Sequence, residues 1–201
     1  LEDILKSMNP DYIAIAFDPA GPTFRHEVYP EYKAQREATP EDIRRSVPII
    51  KDVIRAYNIP ILEVMGYEAD DVIGTLAKKG DEAGYEVFMV TPDKDYGQLV
   101  GKNRQLYKQK GEGIEIVDTE SICAKYGIDD PQLVRDILAL WGDSSDNIPG
   151  VAGVGVSSEE VPDDGVYDVL LHGDVIPRED ILHLGPRAGL RRRQLHFEAE
   201  Q

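Results

Sequence analysis

Residues 66–74 read GYEADDVIG and put three acids, Glu68, Asp70 and Asp71, into four positions. Carboxylates that close repel, and mutual repulsion would force some of them to protonate unless cations hold them charged. The pattern recurs. TPDKD supplies Asp93 and Asp95, and GDSSDN supplies Asp143 and Asp146. At about 100° per residue, Glu68 and Asp71 share a helix face, with Asp70 beside Asp71. In an extended segment Asp93 and Asp95 point the same way. In a helical turn Asp143 and Asp146 share a face. Each group has an ordinary alternative. An acidic first turn complements a helix dipole, an Asx turn follows a strand, and an Asp caps a helix end. The chemistry that would use all of them is binding of hard divalent cations, Mg²⁺ or Mn²⁺, through carboxylate oxygens. Two such ions about 3.5–4 Å apart clamp a phosphodiester, one activating water and the other stabilising the leaving oxygen. No Cys–His cluster is present to suit zinc.

The elements that must position these acids alternate between strand and helix. Residues 1–8 read as the end of a helix. YIAIAF (12–17) is a short apolar run suited to a strand buried on both faces, and it stops at Asp18. Thr39-Pro40-Glu41-Asp42 predicts a helix with Thr39 as N-cap, running to about Tyr57 with a kink at Pro48. PILEV (60–64) is a second strand, a helix follows over 68–83 and stops near Gly84, and YEVFMVT (85–91) is a third strand. RQLYKQ and IEIVD pair through Gly111 and Gly113. Thr119 caps a short helix, and Asp130-Pro131 starts another that ends near Trp141. Strand–helix alternation implies an α/β fold with a mostly parallel sheet covered on both faces. Ligands of such sheets bind at the carboxyl ends of the strands. Asp18, the 68–71 trio and the 93/95 pair would converge at that edge.

Composition fits a globular protein: 201 residues, 41% hydrophobic and 30% charged. There is no apolar run long enough to span a membrane. Cys123 is the only cysteine, which excludes an internal disulfide, fits a reducing compartment and reads as a small buried apolar residue. The net charge of −16 argues against a passive nucleic-acid binder. Locally, however, 101–111 carries Lys102, Arg104, Lys108 and Lys110 without an acid, and 25–55 holds seven basic residues against six acidic ones.

FDPAGPTFRHEVYPEYKAQR, GYEADDVIGTLA, TPDKDYGQLV and GDSSDNIPGVAGVG, in that order, resemble the motifs of the 5′→3′ exonuclease domain of bacterial DNA polymerase I, one of the flap-endonuclease-like nucleases. The resemblance covers roughly residues 1–155. It implies a PIN-like three-layer fold followed by the start of a helix–three-turn–helix DNA-binding element. The division would be 1–118 for the nuclease core, 119–155 for the helical region and 156–201 for a divergent tail. It implies two divalent ions held by Asp18, Glu68, Asp70, Asp71, Asp93, Asp95, Asp143 and Asp146, some through water. It implies that Lys33 and Arg36 contact the scissile phosphate region, that Arg25 joins them and that Tyr32 stacks on a base. Gly150, Gly153 and Gly155 would let backbone N–H groups approach a DNA phosphate, with K⁺ as a further ion at that turn. The implied partner is DNA with a 5′ end or 5′ flap, cut in replication and repair, with a polymerase region following in the full-length protein and a bacterial cytoplasmic, nucleoid-associated location.

Two departures shape further expectations. The family has an Asp on a central strand upstream of everything seen here, so a first strand and one ligand are expected to be missing and activity to be weak. After Val156 the pattern is lost, so the tail, with Arg191–Arg193, is expected to be disordered. A frame change or mis-joined source sequence would produce such a tail. The rival readings are a catalytically defective DNA-binding fragment and a topoisomerase–primase-type metal fold, which leaves the EADD and GDSSD motifs unexplained. Relief of repulsion predicts that Asn at Asp71 and Asp93 raises metal-free stability. Lys33 and Arg36 are expected to serve the DNA and not the fold.

Overall fold

A computed structural model describes residues 1–111, 113–156, 169–171 and 174–175, those from 155 onward by backbone only. The tail expectation, Arg191–Arg193 included, lies outside the described residues. The chain divides into two compact units, one formed by Leu1–Val90 with Ser144–Ile148 and the other by Thr91–Asp143 with the chain from Pro149 onward.

The first unit runs α1 (Glu2–Met8), β1 (Ile15–Ala16), α2 (Phe24–Val28), α3 (Glu41–Ala56), β2 (Ile61–Leu62), α4 (Ala69–Glu82) and β3 (Val87–Val90). β1 and β2 pair in parallel, Ile15 opposite Ile61 and Ala16 opposite Leu62. The pairing extends through Ile15 N–H to Pro60 O and Phe17 N–H to Leu62 O. Strands are shorter than the apolar runs that contain them, because only these backbone groups are laddered. α4 packs on β1 and β3, and α3 on β2. Ile54, Ile59, Ala77 and Met89 are the buried apolar residues between them. Pro40, not Thr39, is the cap residue of α3, and Pro48 lies inside that helix. α4 ends as expected for a glycine stop: Gly84 has φ +86°, and the Tyr85 N–H bonds back to Gly80 O at 2.9 Å.

The second unit opens with a short 3₁₀ helix, Lys94–Leu99, followed by β4 (Arg104–Lys110) and β5 (Gly113–Val117), an antiparallel hairpin with Leu106 opposite Val117. β1 and β2 thus pair in parallel, and the β4–β5 hairpin is antiparallel. α5 (Thr119–Tyr126) is capped by Asp118, whose carboxylate accepts from Ser121 N–H, so the cap is one residue earlier than expected. Asp130 caps a 3₁₀ turn, Pro131–Leu133, that leads into α6 (Val134–Trp141). Leu106, Val134 and Ile137 form the most deeply buried part of this unit. The strand Val154–Val156 pairs antiparallel with Val169–Leu171, which pairs with Asp174–Val175.

The glycine turn after α6 is a close approach of backbone to backbone. Val151 N–H donates to Leu140 O at 2.7 Å, and a Cβ on Gly150 would stand 2.1 Å from Trp141 O. Backbone cannot yield as a side chain can. Gly150→Ala is expected to lower stability by about 3 kcal/mol, the upper range for overpacking. Denaturant unfolding that leaves the midpoint where it was would contradict this reading of the turn.

Candidate metal and phosphate site

The N-terminus of α4 organises the first unit's acids. Four N–H groups at a helix start lack intrahelical partners. Here the Glu68 N–H donates to Asp71 Oδ2 at 2.9 Å, and the Ala69 N–H donates to Asp18 Oδ1 at 2.7 Å. Asp18, at the end of β1, and Asp71, one turn into α4, are thus brought together as caps. Asp70 lies on the exposed side of the same turn. The segment after α2 then crosses this site. Phe24 N–H bonds to Gly66 O at 2.9 Å, and Tyr32 is buried at 5% exposure with its ring edge-on to His26.

The acids are interleaved with cations. Arg25 grips Asp71 through two parallel bonds, Nη1 to Oδ2 and Nη2 to Oδ1, both 2.7 Å. Lys33 Nζ donates to Glu68 Oε1 at 2.7 Å and stands 3.9 Å from Asp146 Oδ2. Arg36 pairs with Asp146 Oδ1. The Tyr32 hydroxyl lies 2.9 Å from both Glu68 Oε2 and Asp146 Oδ2, and its single proton serves one at a time. The electrostatics follow. Burial and the two carboxylates push the Tyr32 phenol far above its ordinary value. Burial pushes the Asp71 carboxyl up, but the Arg25 bond, the Glu68 N–H and nearby Lys33 outweigh it, and Asp71 ends below the usual range. The Asp71 bond holds the Arg25 guanidinium more firmly charged than usual.

The loop that carries Asp146 is clasped to the same segment. Lys33 N–H donates to Asp146 O at 3.0 Å, Gln35 Nε2 to Ser144 O at 2.7 Å, Arg36 Nε to Ser145 O at 3.1 Å and Asn147 Nδ2 to Glu31 O at 2.8 Å. Lys33 has φ +57°, a left-handed conformation that costs a side-chain-bearing residue about 1–3 kcal/mol. Gln35 and Asn147 were not legible as functional residues. Asn147, at φ +59°, gave a turn signal in the sequence, but Gln35 gave none.

Three expectations stand beside contacts that bear on them. Tyr32 is not a free stacking platform, because its ring is buried and its hydroxyl is engaged by acids. Lys33 and Arg36 are built into the fold, since Glu68, only 7% exposed, has Lys33 as its nearest cation. At Asp71 the contacts point away from the expected gain in metal-free stability, because its loss would strand a partly buried Arg25. Asp93, Asp95 and Asp143 belong to the second unit. There Asp93 Oδ1 accepts the Asp95 N–H at 2.9 Å at the start of the 3₁₀ helix, so these two are in a turn and not in extended chain. Asp143 lies in the two-residue strand Gly142–Asp143 after α6, and Asp146 sits in a turn and not a helix. Gly153, at φ +80°, needs its glycine, and Gly155 lies in a strand.

Among the described residues, no three acids, cysteines or histidines are arranged to enclose a metal ion. The donor set of Asp18, Glu68, Asp71 and Asp146 is nonetheless all carboxylate oxygen, the chemistry that suits a hard dication. Arg25, Lys33 and Arg36 stand among Glu68, Asp71 and Asp146, and Asp18 is held by the Ala69 N–H.

The family model for the N-terminal resolvase-like domain of 5′-3′ exonucleases matches residues 1–127. The chain belongs to that family. It is 39% identical over 155 residues to a 5′-3′ exonuclease of Aquifex aeolicus, covering 77% of this chain and 53% of that protein. It is 41% identical over 157 residues to DNA polymerase I of Bacillus caldotenax, covering 77% of this chain and 18% of that one. This 5′-3′ exonuclease family member thus spans about half of one relative and under a fifth of the other. In fold it is similar to the bacteriophage T5 D15 flap endonuclease, solved as a pseudo-enzyme–product complex with DNA and metal ions. That likeness has a TM-score of 0.63 at 22% identity and covers 77% of this chain and 60% of that one. The likeness bears out the α/β, PIN-like expectation.

Asp71 is held below its unfolded value, so its contribution is complete above about pH 4 and is lost as pH falls through the folded value. Asp71→Asn in metal-free buffer at pH 7 is expected to cost about 2 kcal/mol, between the values for exposed and buried pairs. The gap from wild type should close below about pH 4. Equal or higher stability of the variant at pH 7 would show that repulsion, not pairing, governs Asp71.

Proposed function

We propose that this chain is the nuclease part of a metal-dependent 5′→3′ exonuclease or 5′-flap endonuclease that hydrolyses DNA phosphodiester bonds. The observation that carries the reading is the interleaving of Glu68, Asp71 and Asp146 with Arg25, Lys33 and Arg36. Oxygen donors for a hard dication lie within one ion-pair distance of the cations that suit phosphate oxygens. The family membership and the DNA and metal ions bound by the T5 relative support it.

Mg²⁺, as two ions, is the proposed cofactor. When bound it would polarise the phosphate and acidify the attacking water. The first unit's site would consist of Asp18, Glu68, Asp70, Asp71 and Asp146. Lys33 and Arg36 would bind the non-bridging oxygens of the scissile phosphate, and Arg25 a neighbouring one. Tyr32 would orient Glu68 and Asp146 through its hydroxyl. Gly150, Gly153 and Gly155 would admit a duplex phosphate, or K⁺, to backbone groups. Water would attack phosphorus and the bond to the 3′ oxygen would break, leaving a 5′-phosphate. The division at 118 and 155, a following polymerase region and a nucleoid-associated location are parts of the same proposal. No described helix is long and apolar enough to cross a membrane.

Mg²⁺-dependent cleavage of a 5′-flap substrate is the test, and binding without cleavage would favour the defective-fragment reading. Alanine at both Lys33 and Arg36 should weaken flap binding and reduce the salt slope of log K by up to about two. An unaltered slope would remove these residues from the phosphate site.

A further inference from the structure

The three cations of the site are not placed where a phosphate could already use them. Both Asp71 oxygens are taken by Arg25, and one of them also accepts the Glu68 N–H. The Glu68 oxygens are taken by Lys33 and Tyr32, and those of Asp146 by Arg36 and Tyr32. Four of the six carboxylate oxygens have a cationic hydrogen-bond donor, the Tyr32 proton serves Glu68 Oε2 or Asp146 Oδ2 in turn, and three negative charges face three positive ones. A dication entering this lattice would meet ammonium and guanidinium groups within one ion-pair distance of its own ligands. Coulomb repulsion at that separation, in a partly buried setting, is large.

We infer that Arg25, Lys33 and Arg36 are internal counterions that a divalent ion must displace from Glu68, Asp71 and Asp146, so that metal loading is what releases these cations to DNA phosphates. The inference rests on the metal and phosphate reading above. The geometry permits the exchange. The side chains of Arg25, Lys33 and Arg36 are 30%, 20% and 51% exposed, against 8%, 10% and 18% for Asp71, Glu68 and Asp146. Long flexible stems can carry their charges outward while the acids stay. Lys33 is also held in a left-handed backbone conformation that its contacts to Asp146 and Glu68 offset, so release removes a reason for the strain. The exchange makes metal and DNA mutually reinforcing. Phosphate that captures Lys33 and Arg36 frees oxygens for metal, and metal that captures the oxygens frees Lys33 and Arg36 for phosphate. Linkage requires the two effects to be equal in factor. It also balances Glu68, Asp71 and Asp146 against Arg25, Lys33 and Arg36, so these three crowded acids are tolerated together.

Lys33 is the reporter. The full chain is treated by reductive methylation with and without saturating Mg²⁺, and each lysine is quantified by mass spectrometry. Lys6 and Lys78, about three-quarters exposed at 75% and 73%, are internal references. Calorimetry on the same samples establishes whether Mg²⁺ binds. The expected result is binding heat together with a several-fold rise in Lys33 methylation while Lys6 and Lys78 are unchanged. Binding heat with Lys33 methylation unchanged or slower would overturn the displacement and leave the metal reading standing. Absence of binding heat would overturn the metal reading itself and this inference with it.

Discussion

The paired hydrogen bonds between Arg25 and Asp71 are the constraint on which the first unit's site depends. Asp71 caps the start of α4 by accepting the Glu68 N–H, and it can do so charged because Arg25 neutralises it on its other side. The cap sets the direction of Glu68, the direction of Glu68 places Lys33 and the Tyr32 hydroxyl, and these in turn hold Asp146. A single charged lattice therefore fixes the start of one helix, the path of the segment after α2 and the loop at Ser144–Ile148. Each surface pair would be worth little alone. Their strength comes from sharing partners and from partial burial, where leaving one charge without the other is expensive.

How much of this was legible beforehand differs by link in the chain. The helix α4 was readable almost to the residue, because apolar periodicity, an acidic start and Gly84 all agree on it. β1 and β2 were readable as apolar runs, but not their short laddered lengths, which depend on tertiary pairing. The caps were displaced where two candidates stood side by side. Asp118 outcompetes Thr119 because its carboxylate reaches Ser121 N–H, and Pro40 takes the place assigned to Thr39. For Asp93 and Asp95 the extended reading and the Asx turn both stood open, because spacing alone does not separate them, and the turn is what forms.

For the site, residue types were legible and relations were not. Crowded carboxylates at 68–71 could be recognised as needing cations, but the sequence is silent on which cations. Lys33 and Arg36 look like solvated arch residues in a polar segment. Only the fold shows that the segment turns inward and that Gln35 and Asn147 clasp it to the loop of Asp146. A pair separated by 114 positions, such as Tyr32 and Asp146, has no local signature. The glycine turn behaves differently: its sequence string was weak evidence by itself, and its meaning lies in the Trp141 carbonyl that crowds Gly150.

The central claim is that Glu68, Asp71 and Asp146 are held for divalent metal, with protein cations in the interim. Paramagnetic broadening of amide signals by substoichiometric Mn²⁺ tests it most directly, because it reports where the ion sits whether or not DNA is cut. The account predicts selective loss of the signals of Lys33, Glu68, Ala69, Asp71 and Asp146, reversed by a chelator. Broadening spread evenly over the acidic surface, with those five signals no more affected than others, would contradict it.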